Sequence, residues 1–72
     1  PPQRMDPPEE DVWKLIAQAY EQLRAGNYPK ALEMFRAVKR DFKPIGEMEL
    51  RVELGMSNCL YYLEDYKGVL PH

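Results

Sequence analysis

Side chains able to do chemistry are few in this 72-residue chain, and they do not assemble into a catalytic pattern. The one histidine, His72, is the last residue, and the one cysteine, Cys59, falls among apolar positions of a helical stretch. A Ser/His/Asp or Cys/His set cannot be built from a histidine outside any defined element. Glu49 and Glu53 stand four apart, but with no histidine nearby they read as surface charge. Glu9, Glu10 and Asp11 sit where a helix begins, and carboxylates suit the positive end of its dipole. No glycine-rich phosphate loop is present. The chain is therefore expected not to be an enzyme and to hold no metal or cofactor. What remains are groups suited to recognition. Tyrosines combine apolar area with a hydroxyl, and Tyr61 and Tyr62 stand side by side. Arg36, Lys39, Arg40 and Lys43 recur at i, i+3, i+4 and i+7, a basic strip able to meet phosphates or an acidic partner. The same strip would also give polar cover to the side opposite Phe35, Val38 and Phe42, and cations suit a helix C-terminus. With a net charge of −2 and no aromatic residue interleaved, nucleic-acid binding is not expected.

The elements that must position these groups are helical. At this length a single core is marginal, and one cysteine supplies no disulfide framework. Stability should come from helix packing, aided by a neighbour or partner. A lone thiol also suits a reducing, intracellular setting, with the cytoplasm the expected location. No apolar run approaches the ~18 residues of a membrane span, so no membrane partner is expected. The chain starts at Pro1 rather than Met, as a processed or excised piece would.

Residues 1–8 read as a disordered or extended lead-in and residues 9–72 as one helical module. Asp6-Pro7-Pro8-Glu9 forms a helix start, with Asp6 as the cap and Glu9 completing a capping box. Val12, Trp13, Ile16, Ala17, Tyr20 and Leu23 then make an apolar stripe at the helical period. Gly26 supplies a left-handed stop, Asn27 can cap the next helix, and Pro29 is tolerated in its first turn. The second helix presents Tyr28, Ala31, Leu32, Phe35, Val38 and Phe42 on one side, and Pro44 marks its end. Small Ala31 facing small Ala17 would let the two helices approach closely. These elements make an antiparallel hairpin over residues 9–43.

A third helix is expected from about Glu47 to Leu63, carrying Met48, Val52, Met56, Cys59, Leu60 and Leu63, with Leu50 and Leu54 beside them. So wide an apolar arc predicts neighbours on two sides. Glu47 and Arg51 stand four apart and can pair on its exposed side. Asp65 can cap a fourth helix beginning at Tyr66, weakened by Gly68 and Pro71, so that residues 47–72 would form a partial second hairpin.

A phrase nearly repeats along the chain: AYEQLRAGNYPKAL (Ala19–Leu32) and LYYLEDYKGVL (Leu60–Leu70), with Tyr28 and Tyr66 38 residues apart. Recurrence at that interval signals stacked helical hairpins. Trp13, Ala17, Tyr20, Gly26-Asn27-Tyr28, Ala31 and Phe35 follow one another in an order that resembles a tetratricopeptide repeat. In the second copy Ser57, Leu60, Asp65-Tyr66 and Val69 take the corresponding places, and the resemblance covers roughly Val12–Leu70. Ala17 and Ser57 are 40 residues apart, longer than the usual unit and similar to the longer variant of kinesin light chain and related adaptors. Glu64 replaces the turn glycine in the second copy.

The resemblance implies an all-α, right-handed solenoid fragment of about one and a half repeats, acting as a protein–protein interaction scaffold. It implies a concave face lined by Lys14, Gln18, Glu21 and Gln22 in the first copy, and by Leu54, Asn58, Tyr61 and Tyr62 in the second. These residues offer a point charge, backbone-bonding amides and aromatic anchors to a peptide or helix of a partner. The carboxylate clamp of chaperone-binding relatives is not expected, because only Lys14 matches it. Gln18 replaces its first asparagine, and Gly55 stands in place of its second. The alternative is structural self-assembly. An unfinished solenoid would expose a flank built from Met48, Val52, Cys59, Leu63, Val69 and Leu70, to be covered by another copy (a homodimer) or by adjacent repeats.

Overall fold

The computed structural model describes residues 9–68, with side chains through residue 64. Asp6, Val69, Leu70, Pro71 and His72 lie outside the described residues, and so do the capping box and lead-in placed on residues 1–8. Three helices make up the described chain: α1 (Glu9–Arg24), α2 (Tyr28–Phe42) and α3 (Gly46–Gly68), with no strand among the described residues.

Local chemistry sets the boundaries. Glu9, Glu10 and Asp11 occupy the first turn of α1. The helix ends in a Schellman turn. The Gly26 N–H donates to the Leu23 carbonyl and the Asn27 N–H to the Gln22 carbonyl, while Gly26 takes a left-handed φ of +87°. Asn27 does not cap α2 with its side chain. Its amide instead donates to Gln22 Oε1 at 2.8 Å, which ties the turn back to α1. At the other end of α2, the Lys43 N–H donates to the Lys39 carbonyl and Lys43 itself is left-handed, with φ of +46°. Glycine commonly fills that position, and a side chain there costs about 1–2 kcal/mol. Pro44 follows and prevents continuation.

α2 is the central helix, packed along its length against both α1 and α3, whereas α1 and α3 touch each other less. Tyr28 meets Tyr62, Phe35 meets Gly55 and Lys39 meets Glu53, so α2 and α3 run antiparallel. The core consists of Val12, Ile16, Ala19 and Leu23 from α1, Ala31, Leu32, Phe35 and Val38 from α2, and Val52 and Cys59 from α3. Burying a side chain the size of Ile16, Phe35 or Val52 stabilises the fold by about 1.5–3 kcal/mol. The small residue buried with Ala31 is Ala19, not Ala17. The buried stripe of α1 steps through Ile16 to Ala19, and Ala17 is turned out of it and exposed. Phe42, expected in the core, is 37% exposed because α2 is ending there.

Two expectations about the third helix are corrected. α3 runs without a break through Asp65 and Tyr66 to Gly68, so the second turn and the helix expected to start at Tyr66 are not formed. Glu64 stands where the first copy has the left-handed Gly26, and a side chain there favours continued helix. The face that α3 buries is also the one expected to stay open. Val52 and Cys59 are buried, and Met48 and Leu63 pack against the core, while Leu50, Leu54, Leu60, Tyr61 and Tyr62 are exposed.

Gly55 accounts for that choice. It is buried, and a Cβ at its position would overlap the Phe35 ring, so α3 reaches Phe35 only because residue 55 has no side chain. Gly55→Ala would gain about 1 kcal/mol of helix propensity but lose about 1–3 kcal/mol to overpacking. The expected outcome is a net loss of stability, read as a lower melting temperature by about 4–8 °C per kcal/mol. A melting point at or above that of the parent chain would mean that α3 does not approach Phe35 this closely.

Candidate interaction surfaces

The residues assigned to a concave face occupy the outer sides of α1 and α3. Lys14, Gln18 and Glu21 are exposed on α1, and Leu54, Asn58, Tyr61 and Tyr62 on α3. Gln22 is half-buried, and its side-chain oxygen is engaged by Asn27. Of these eight, only Glu21 lines the cleft of about 570 Å³ between α1 and α3. That cleft is made instead by Trp13, Ala17, Tyr20 and Arg24, facing Glu47 and Arg51. Its charges cancel in sign, and Arg51 Nε donates to Glu47 Oε2 at 3.2 Å, the helical pair expected from their spacing.

Tyr20 ties that cleft together. Its ring stands edge-on to Phe35 with centroids 4.9 Å apart, and its hydroxyl donates to the Arg51 main-chain carbonyl at 2.5 Å. Burial raises the Tyr20 pKa against the opposing pull of Arg51. Burial also raises the pKa of the Cys59 thiol, which is fully enclosed and unpaired, so it stays a neutral packing group. The described residues bring no three His, Cys, Asp or Glu side chains together as a metal ion would need.

Tyrosines gather at the far end of α3. Tyr62 stacks on Tyr28 at 4.9 Å and 10°, and Tyr61 meets Tyr62 edge-on at 5.5 Å. Tyr62 is thereby anchored to the first turn of α2, while Tyr61 remains 65% exposed. Leu50, Leu54 and Leu60 extend the exposed apolar surface down the helix.

The basic strip does not lie opposite the core as its spacing suggested. Arg36, Lys39, Arg40 and Lys43 form one wall of a cleft of about 550 Å³ between α2 and α3. Glu49 and Glu53 stand on the other wall, with Val52 and Pro44 between them. Lys39 Nζ pairs with Glu53 at 2.6 Å across the cleft. Arg40 forks onto its neighbour Asp41 at 2.8 and 3.2 Å, which lowers the Asp41 pKa. Sequence spacing gave the strip but not its setting, because the contact that places it depends on Gly55. A glycine inside a helical pattern was the available signal for that contact.

No described helix is long and apolar enough to cross a membrane. Compared with known proteins, the chain matches no family model, no curated protein and no solved structure.

Raised pKa values on Cys59 and Tyr20 mean that the fold favours their neutral forms. Their contribution is fully present below their ordinary values of 9.0 and 10.0 and is lost as pH rises through the higher folded values. The melting temperature should therefore fall as pH rises above about 9. Tyr20→Phe should flatten that fall while costing about 1 kcal/mol at neutral pH through its lost hydrogen bond. An alkaline slope identical in the two proteins would exclude Tyr20 from the effect.

Proposed function

We propose that this chain is a tetratricopeptide-like module that serves as a protein-interaction scaffold, presenting the outer face of α3 to a peptide or helix of a partner. The observation that carries this reading is where the exposed apolar residues fall. Of the seven large apolar side chains exposed among the described residues, Leu50, Leu54, Leu60, Tyr61 and Tyr62 are on α3. By helical spacing Leu50, Leu54 and Tyr61 share one side of α3 with Leu60 and Tyr62 flanking it, and apolar residues gathered on one helix support an interaction site better than the same residues scattered singly. Asn58 and the tyrosine hydroxyls add hydrogen-bonding groups to the same helix.

A repeat architecture is supported by the packing of α1 and α3 on α2. The α1 positions Val12, Ile16, Ala19 and Leu23 recur on α3 as Val52, Met56, Cys59 and Leu63, all within or against the core and each 40 residues on. α1 and α3 thus apply equivalent stripes to the helix between them, as successive units of a solenoid do. On this reading Lys14, Gln18 and Glu21 extend the recognition surface onto α1, while Gln22 is held back by Asn27.

Self-assembly is the second reading, favoured by the spacing of the same face. Leu50, Leu54, Ser57 and Tyr61 step by four, three and four, the seam spacing of a coiled coil, which another copy of α3 could cover.

Selection of helical peptides from a random library against the chain separates the two readings. Recognition predicts enriched peptides that bind the parent chain at least tenfold more tightly than Leu54→Glu or Tyr61→Ala, about 1.4 kcal/mol. Both variants should keep the parental helicity, since neither side chain is in the core. Peptides that bind all three proteins equally would contradict the reading. A sedimenting dimer that Leu54→Glu disperses, with no peptide enriched, would move the assignment to self-assembly.

A further inference from the structure

We infer that the α2–α3 cleft is a second docking site, taking a helical segment of a partner that carries an acidic edge beside an apolar ridge. The cleft lies on a different side of α3 from the Leu54–Tyr61 face, so this inference does not rest on that one. Three observations converge on it. The first is charge: four cations on one wall face two carboxylates on the other, a lining of +2 on a chain whose net charge is −2. Lys39 and Arg40 are satisfied by Glu53 and Asp41, whereas Arg36 and Lys43 have no ion-pair partner among the described residues.

The second observation is the position of Lys43. It closes α2 in a left-handed conformation that glycine adopts without strain, so backbone geometry does not favour a lysine there, although its ammonium donates to the Arg40 carbonyl at 3.4 Å. The lysine instead sets a cation at the end of the strip, seven residues from Arg36 and thus about 10 Å along the helix axis. The third is the floor. Half-buried Pro44 borders the cleft, with the core residue Val52 closed beneath it, giving a small apolar base for a leucine-like side chain.

Together these features select the ligand. A carboxylate on a bound helix would meet the Arg36 guanidinium, which offers paired donors, and a second carboxylate would meet Lys43. An apolar residue one turn along would rest over Val52. A nucleic-acid backbone fits poorly, since Glu49 and Glu53 would face its phosphates and no aromatic residue lines the cleft for a base to stack on.

The test uses the full chain and fluorescence anisotropy with three probes. These are a helix-stabilised peptide of about 15 residues with glutamates flanking a leucine ridge, the same peptide with lysines for glutamates, and a single-stranded DNA oligonucleotide of about 15 nucleotides. The acidic peptide should bind and weaken as salt is raised, and the basic peptide should not bind. Lys43→Gly should weaken acidic-peptide binding by about tenfold, and Arg36→Gln by at least as much. The melting temperature of Lys43→Gly should equal or exceed that of the parent, so lost binding cannot be lost folding. Leu54→Glu should bind the acidic peptide like the parent, which keeps this result separate from the outer-face reading. Three outcomes would overturn the inference: no binding of the acidic peptide, binding that Lys43→Gly and Arg36→Gln leave unchanged, or tighter binding of the DNA.

Discussion

The contact between the Phe35 ring and the bare backbone at Gly55 is the constraint on which the rest of the structure depends. It brings the middle of α3 against the middle of α2 at a distance no other residue type allows. Once that contact is made, the rotation of α3 about its own axis is fixed, and its side chains sort accordingly. Val52 and Cys59, on the same side as Gly55, enter the core, while Leu50, Leu54 and Tyr61 are left in water. Towards one end of α3 Tyr62 comes to rest on Tyr28, and on the other side of the contact Glu53 reaches Lys39. Each surface assigned a role above is therefore set by one close approach.

That approach also explains how so short a chain can both fold and leave apolar side chains exposed. Among the described residues, ten buried apolar side chains drawn from all three helices form one core around α2. Small residues make this possible, because Ala19, Ala31 and Gly55 allow close helix contact and Phe35 fills the space between. Leu50, Leu54, Leu60 and Tyr61 on α3 are then not needed for packing. They can remain exposed at little cost to the fold. Charge is divided in the same way, with the α1–α3 cleft balanced and the α2–α3 cleft predominantly basic.

Much of the first hairpin was legible in the residues because its signals are local. Gly26 as a left-handed stop, Pro44 as a terminator and the Val12–Ile16–Leu23 stripe need only the chain within a turn or two. The orientation of α3 was not legible from periodicity. Leu50, Val52, Leu54, Met56, Cys59 and Leu60 surround most of the helix, and an apolar arc that wide fits several rotations equally well. Gly55 breaks the tie. The second turn fails to form for a related reason. Asp65-Tyr66 repeats the sequence of a cap, but the backbone turn in the first copy depends on a glycine that Glu64 replaces. For the residues assigned to the concave face, exposure follows from the sequence pattern only in part, and their geometry does not. Tyr61 and Leu54 are exposed as expected, yet Gln22 is bound to the turn, and the basic strip borders a cleft that only the α2–α3 contact creates.

The most direct test of this account is hydroxyl-radical footprinting of the chain at a concentration where it is monomeric, with oxidation read residue by residue. The account predicts rapid modification of Leu54 and Tyr61 together with protection of Phe35, Val52 and Cys59, the last notable because a thiol is intrinsically reactive. Protection of Leu54 and Tyr61 with oxidation of Val52 and Cys59 would mean that α3 packs by its other face, and both proposed surfaces would fall with it.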